Sequence, residues 1–373
     1  MKNKMTSVSE FLWKDKKHRA KNIYFFLTFF ICIAAVLFGF VNSKLDMLQP
    51  GTDTGSDKTN QAVVYDEEEL KLMKAISEAG DLNDFIYQWS ENGGELYKSK
   101  NVINILLLGL DSDEALEYGG RSDSMILVSL NKETKQINMI SFFRDSWCYT
   151  NAGGYDTFCK MNASCYYGGP NGVIDTIEKH YKIDIDYYVA VDFSSFTDVI
   201  DALGGVTVEV QEYEAAYINS TTQLHIESGP AVKLTGLEAL VFSRIRKSDS
   251  DSDVSRTRRQ RMVISALIES AKGANLTQLN DVLDLLLQYV KTDLSKMQII
   301  SYATQGLTNG WVSFEINQHS FLSEADVFQT GWVGDASVVI IDYPLAAQKV
   351  QNAVYGNTNI ELSEDRIKAF DLL

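Results

Sequence analysis

Apolar and polar positions divide the chain into a short uncharged run and a long alternating region. Ile23 to Val41 are 19 residues without a charge, interrupted only by Tyr24 and Thr28. That is close to the roughly 20 residues an α-helix needs to cross a bilayer core. Residues 42–61 are polar and contain the Pro50-Gly51 pair, the composition of a spacer. Residues 62–98 hold a broken helical pattern, Val64, Leu70, Met73 and Ile76 followed by Leu82, Phe85, Ile86 and Trp89, which predicts one or two accessory helices.

From 99 to 355 strand and helix signals interleave. Val102–Leu110 is almost wholly apolar, as a strand covered on both faces is. Met125–Leu130 and Ile137–Phe142 are similar, and the polar stretch 131–136 between them suits a hairpin turn. Helices are predicted at Met161–Tyr167, Gly172–His180, Ser194–Leu203, Thr235–Phe242, Ser255–Ala271, Leu276–Tyr289 and Leu294–Gln305. Further strands are predicted at Tyr187–Asp192, Val206–Val210, Val312–Ile316 and Ser337–Ile341. Such interleaving implies an α/β layered domain, with 356–373 as a C-terminal tail.

Strand direction then places chemistry. If the first strand ends at Asp111 and the following loop returns to the sheet, Asp123 enters the second strand at the edge where the first one left. The third strand comes back to that edge, so Asp111, Asp123 and Arg144 are expected on one rim, with Arg121 beside them.

Charge narrows the function class. The 373 residues carry 50 Asp and Glu against 34 Lys and Arg, a formal charge of −16, so the surface repels nucleic acid. Yet the first 21 residues hold seven basic and two acidic side chains. Basic residues stay on the cytoplasmic side, so 1–22 is expected inside, 23–41 as an uncleaved span and the rest outside the cell membrane. A cleaved signal peptide fits less well, because no small-x-small site follows the apolar run. The four Cys lack a C-x-x-C spacing, and His18, His180, His225 and His319 stand outside metal-ligand spacing, which excludes a structural zinc site and a disulfide-stapled fold. Cys148 and Cys159 could still close the loop around Gly153-Gly154 as a disulfide, although the exported region has three cysteines, an odd number.

Ten Arg occur, and Arg244, Arg246, Arg256, Arg258, Arg259 and Arg261 fall within 18 residues. Guanidinium forks match phosphate oxygens in a bidentate geometry that Lys does not copy. On a helical wheel, Val263, Ile264, Leu267, Ile268 and Ala271 form one apolar stripe, and its N-terminal continuation carries Asp253, Arg256 and Gln260. Charges on a core-facing stripe are costly unless they line a polar cleft. Arg258 and Arg261 point the other way and are expected to be solvated. Arg244 and Arg246, two apart in an extended stretch, are expected on one side.

The ordered motifs NILLLGLDSD, GRSDSMILVSL, ISFFRDS, KMNASCYYGG, YYVAVDFSSFTDVIDALGGVTVEV, LTGLEALVFSRIR and DVSRTRRQRMVISAL resemble the LytR-CpsA-Psr family of bacterial cell-wall enzymes, from about Val102 to Tyr355. The resemblance implies an α/β three-layer α-β-α sandwich with a central mixed sheet behind one N-terminal transmembrane helix. It also implies a membrane-anchored phosphotransferase that moves an anionic glycopolymer from a polyprenyl pyrophosphate carrier to a peptidoglycan hydroxyl. Residue by residue, it implies Asp111 and Asp123 as metal-linked, with Mg²⁺ or Mn²⁺ as cofactor, and Arg121, Arg144, Arg244, Arg246, Arg256, Arg259 and Gln260 as pyrophosphate-binding. No His occupies a motif, so Asp253 is the candidate proton acceptor beside the catalytic Arg144, Arg244 and Arg246. Phe143 stands where the family commonly has Pro, and no charged member of the site is lost.

A lipid-carrier pyrophosphatase would use the same residues with water as acceptor, and a non-catalytic wall-polymer receptor would use the arginines without the paired Asp. A serine hydrolase lacks its G-x-S-x-G, and a nucleotide binder lacks Walker or Rossmann glycines. The topology is directly testable: protease added to intact spheroplasts is expected to digest residues 42–373, and full protection would place the domain inside.

Overall fold

The computed structural model describes residues 49–50, 80–110, 120–246, 252–273 and 290–372, except 296, 299–300, 303–304 and 306–307. The expected span at 23–41, the accessory-helix pattern up to 79, Asp111 and the helix Leu276–Tyr289 lie outside these residues. Among the described residues no helix is long and apolar enough to cross a membrane.

In chain order the strands are β1 (Gln49–Pro50), β2 (Val102–Leu110), β3 (Ser122–Asn131), β4 (Gln136–Ser141), β5 (Trp147–Thr150), β6 (Thr157–Lys160), β7 (Tyr187–Val191), β8 (Val206–Val210), β9 (Gly229–Leu234), β10 (Lys291–Thr292), β11 (Glu315–His319), β12 (Phe328–Val333) and β13 (Ala336–Ile341). The helices are α1 (Gly80–Asn92), α2 (Ser164–Tyr181), α3 (Phe193–Ala202), α4 (Glu212–Thr222), α5 (Gly236–Arg244), α6 (Ser252–Gly273) and α7 (Tyr343–Tyr355).

The central sheet runs β1-β10-β7-β2-β3-β4-β11. β2, β3 and β4 pair antiparallel, as the strand tracing expects, while β7 joins β2 and β11 joins β4 in parallel, so the sheet is mixed. Side chains alternate across it with the period of two that a pleated strand imposes. Leu106 and Leu108 of β2 lie opposite Leu127 and Met125 of β3. These four join Leu82 and Ile86 of α1, Val173 and Ile177 of α2, and Val350 and Val354 of α7 in one core. The intervening Ile103, Ile105 and Ile126 are buried as well. Both faces are therefore covered, which is why these strands read as continuous apolar runs. A second core gathers Ile200 of α3, Val208 of β8, Phe242 of α5 and Val263 of α6.

Where local pattern and structure differ, short elements account for most of it. The β5–β6 hairpin, β9, β12 and α4 carry too little periodic signal to be read, whereas α7, also unread, does carry one in Ala346, Ala347, Val350 and Val354 between Asp342 and Gly356. The late strand begins at Glu315 rather than Val312, because Trp311–Ser313 forms a 3-10 turn. The two helices expected at 161–180 form the interrupted α2, broken where Gly169 adopts a left-handed φ of 61° ahead of Pro170. Cys148 lies opposite Cys159 across β5–β6, and both are free, buried thiols.

Within the C-terminal tail, the described residues 356–372 are tied to the domain. Ala369 is buried in the main core, and Arg366 grips Asp342 through both guanidinium nitrogens at 2.8 and 2.7 Å. Asp342 is fully buried and also caps the start of α7. Arg366→Ala leaves that carboxylate buried without its cation, so a loss of about 3–5 kcal/mol in unfolding free energy is expected. Urea unfolding of the variant checks this, and a midpoint equal to wild type would show that the tail contributes nothing.

Candidate functional site

One edge of the sheet holds the end of β2, the start of β3 and the end of β4. Asp123 is the second residue of β3, and Arg144 follows β4 by three positions. The Arg144 Nη1 is ion-paired with Asp123 Oδ1, so the rim inferred from strand direction brings these two together.

From there the charges interlock. Asp145 Oδ2 lies 3.4 Å from Arg144 Nε and 3.4 Å from Arg246 Nη2, and its Oδ1 lies 3.3 Å from Lys160 Nζ. Arg246 Nη2 also donates to Asp253 Oδ1 at 3.0 Å, and Arg256 Nη2 stands 3.4 Å from that same oxygen. Asp253 occupies the first turn of α6, where the helix dipole favours a negative charge. One turn beyond Arg256, Gln260 accepts from Ser124 Oγ at 3.2 Å and donates to the Asp123 carbonyl at 3.5 Å, tying α6 to β3. Five chain segments thus meet at one rim.

Asp145 and Lys160 are absent from the sequence reading. Both stand inside quoted motifs, FRDS and KMNASCYYGG, but a single acid or lysine there has no spacing that sets it apart. Only the β5–β6 hairpin, which pairs Trp147 with Lys160, returns the lysine to the rim.

The electrostatics are asymmetric. Burial alone would depress Arg144, but Asp145 and Asp123 outweigh it and raise its pKa. Burial would likewise raise Asp145, yet Lys160, Arg144 and Arg246 hold its carboxyl below the ordinary carboxylate range. Arg256, only 3% exposed, is pushed down to about 10 by burial first and then by repulsion from Arg144 and Arg246. Within this described group, Arg144, Lys160, Arg246 and Arg256 face the carboxylates Asp123, Asp145 and Asp253. The Nε atoms of Arg144, Arg246 and Arg256 are buried and make no hydrogen bond.

Other expected members lie elsewhere. Arg259 is fully buried on another face of α6, where its Nε donates to Glu214 at 2.7 Å and its Nη1 to the Ile245 carbonyl at 2.9 Å. It therefore braces α6 against α4 and α5 instead of facing the rim. Arg261 is buried too, contrary to the solvated position expected: it lies about 140° around the helix from Arg256, and its Nη1 donates to Ser141 Oγ of β4 at 2.9 Å. The wheel treats α6 as one-sided, whereas its first half is enclosed by sheet and helices. Arg258 is half exposed, as expected. Arg244 is not in an extended stretch but ends α5, exposed, while Ile245 turns into the second core and leaves Arg246 at the rim. Arg121 is exposed just before β3. Asp111 lies outside the described residues, among which no group of three or more His, Cys, Asp or Glu is placed to hold a metal.

Comparison with known proteins now bears on this arrangement. The model of the LytR_cpsA_psr family matches residues 57–351. The polyisoprenyl-teichoic acid–peptidoglycan teichoic acid transferase TagU of Oceanobacillus iheyensis is 36% identical over 234 residues, 60% of this chain and 70% of that protein. Its namesake from Halalkalibacterium halodurans is 36% identical over 197 residues, 52% of this chain and 62% of that one, so there the match spans less than two thirds of the relative. Among solved structures, B. subtilis TagT is 27% identical with a TM-score of 0.51, covering 70% of this chain and 94% of that one.

Arg256 and Arg259, two of the three buried arginines of α6, should respond oppositely to truncation. Arg259→Ala strands Glu214, itself buried, and is expected to cost about 3–5 kcal/mol of stability. Arg256→Ala removes a repelled cation and should leave the thermal midpoint at or above wild type. Calorimetry of both variants decides, and equal destabilisation would mean that Arg256 also braces the fold.

Proposed function

This chain belongs to the LytR-CpsA-Psr family, and from that premise we propose that it moves an anionic glycopolymer from a polyprenyl pyrophosphate carrier to a peptidoglycan hydroxyl. The naming of its relatives as teichoic acid transferases supports a teichoic acid as the polymer class. The observation that carries the reading is the convergence of Arg144, Arg246 and Arg256, from three separate segments, on the carboxylates of one rim, each with a buried Nε that makes no hydrogen bond. A buried donor left unmade costs about 1–3 kcal/mol. A pyrophosphate brings several strong acceptor oxygens to all three at once.

In this reading the acceptor hydroxyl attacks the phosphorus next to the polymer. The P–O bond to the carrier-side phosphate breaks, and polyprenyl phosphate leaves with its new negative charge facing the arginines. Asp253 takes the hydroxyl proton once the phosphates have drawn Arg246 and Arg256 onto their own oxygens. Asp145 keeps Arg144, Arg246 and Lys160 oriented between turnovers. Arg121 and Arg244, exposed on the approach to the rim, meet the incoming anion. Arg259 is assigned a bracing role, since Glu214 already satisfies it.

A divalent cation, Mg²⁺ or Mn²⁺, is part of the proposal. When bound it supplies positive charge to the phosphate oxygens. Asp123 and Asp111 would hold it, and hard carboxylate oxygens suit such an ion. The charge balance supports it: the rim cations are largely matched by Asp123, Asp145 and Asp253, so two phosphates arrive with charge still to be neutralised. The uncharged 23–41 run behind a basic end supports a single-pass anchor with the catalytic domain outside the cell membrane.

Incubating the full chain with a lipid-linked glycan pyrophosphate, with and without a glycan-strand acceptor, tests the reaction. Polymer joined to the strand is expected; carrier cleavage without acceptor would identify a pyrophosphatase, and no turnover would favour a receptor. Arg246→Lys keeps the charge but loses the fork, so turnover should fall at least about tenfold, roughly 1.4 kcal/mol of barrier. Asp123→Ala should blunt the response to added Mg²⁺, whereas Arg258→Ala should do far less. Equal losses at positions 246 and 258 would reduce the rim to a diffuse basic patch.

A further inference from the structure

Beside the charged rim lies a surface of different character. The Asn162 amide donates to the Arg144 carbonyl at 3.0 Å and Lys160 reaches Asp145, so the chain entering α2 runs directly along the cluster. About one helical turn farther on stand Tyr166 and Tyr167. Tyr166 is 51% exposed, its ring 5.7 Å from that of Tyr167 at 76°. Tyr155, from the β5–β6 loop, sets its ring 5.0 Å from Tyr167 at 37°. Their backbones are held: a Cβ on Gly153 would meet the Tyr167 carbonyl at 2.0 Å, so the β5–β6 loop sits tight against the start of α2. The result is a row of three tyrosine rings that follows, along the chain, the segment held to Arg144 and Asp145.

We propose that this row is the subsite for the acceptor glycan strand, with Tyr166 and Tyr155 positioning a sugar next to the reacting phosphate. The proposal rests on the transferase reading. Tyrosine offers a rigid apolar face with a polar tip and little conformational entropy to lose, which suits the C–H face of a pyranose ring. Charge selects the acceptor over the donor polymer. Between Asn151 and Gly172 the only charged residues are Asp156 and Lys160, and Lys160 is engaged by Asp145. This segment offers a polyanion no cation besides the engaged Lys160, whereas a neutral sugar backbone needs none. The donor is already held through its pyrophosphate; the acceptor hydroxyl gains nothing from guanidinium groups and must draw its affinity from such contacts.

The test uses the full chain in detergent. Tyr166→Ala is expected to raise the acceptor KM about tenfold, with the donor KM and the saturating turnover within twofold of wild type; Tyr155→Ala should act in the same direction, and Tyr166→Phe should retain wild-type values. In parallel, an undecorated glycan-strand oligosaccharide is titrated against wild type and Tyr166→Ala by protein-observed NMR, with about tenfold weaker binding expected in the variant. Thermal melts confirm folding, which an exposed side chain should not disturb. An unchanged acceptor KM, or a rise in the donor KM instead, overturns the subsite while leaving the transferase reading intact. Absence of any transfer by wild type defeats that reading, and the titration still decides the subsite: oligosaccharide binding lost in Tyr166→Ala supports it, and no binding to wild type overturns it.

Discussion

A guanidinium group keeps its charge inside a protein, so each arginine taken out of water must be met by acceptors. Much of this molecule is arranged around that requirement. Arg259 has Glu214 and the Ile245 carbonyl, Arg366 has both oxygens of Asp342, and Arg261 has the Ser141 hydroxyl. Arg144, Arg246 and Arg256 share three carboxylates among them and retain Nε donors that nothing accepts. The first group holds elements together. The second converges from three segments on one set of shared carboxylates, and that convergence, rather than an unmade Nε, which Arg261 has as well, separates a binding site from a brace.

Strand direction converts distant positions into neighbours. Because β2 and β4 end where β3 begins, Asp123 and Arg144 meet without any contribution from a long loop. The β5–β6 hairpin then folds back, returning Lys160 to Asp145 and launching α2 from the edge of the cluster. α6 enters from the opposite side, fastened to β3 by Gln260 and to β4 by Arg261. A rigid frame of this kind suits phosphoryl transfer, where positioning and charge stabilisation outweigh covalent chemistry by the protein.

The strands at 102–110, 125–130 and 137–142 were legible because burial on both faces leaves a continuous apolar run, and their antiparallel order followed from the short connection between the second and third. The short strands β9 and β12 were not legible, since a few residues with mixed exposure carry no period. At the site, Asp123, Arg144, Arg256 and Gln260 were placed by strand direction and by one helical wheel. Arg261 was misplaced by that same wheel, which knows the angle of a side chain around its helix but not what packs on each side, and Arg259, assigned to the anion by resemblance, is held instead by Glu214.

Composition and order along the chain determined that this protein is acidic, that its arginines are concentrated, and that an uncharged run follows a basic end; these are properties of residues counted in sequence. They also determined the match of residues 57–351 to the LytR_cpsA_psr family. Which arginines face an anion and which are spent on structure was decided only by tertiary contacts. Asp145 and Glu214 come from separate segments and engage different arginines, Asp145 pairing with Arg144 and Arg246 and Glu214 with Arg259, while Lys160 shares Asp145 with the first two. The outcome depends on distances of about 3–4 Å that exist only once sheet, hairpin and helix have packed.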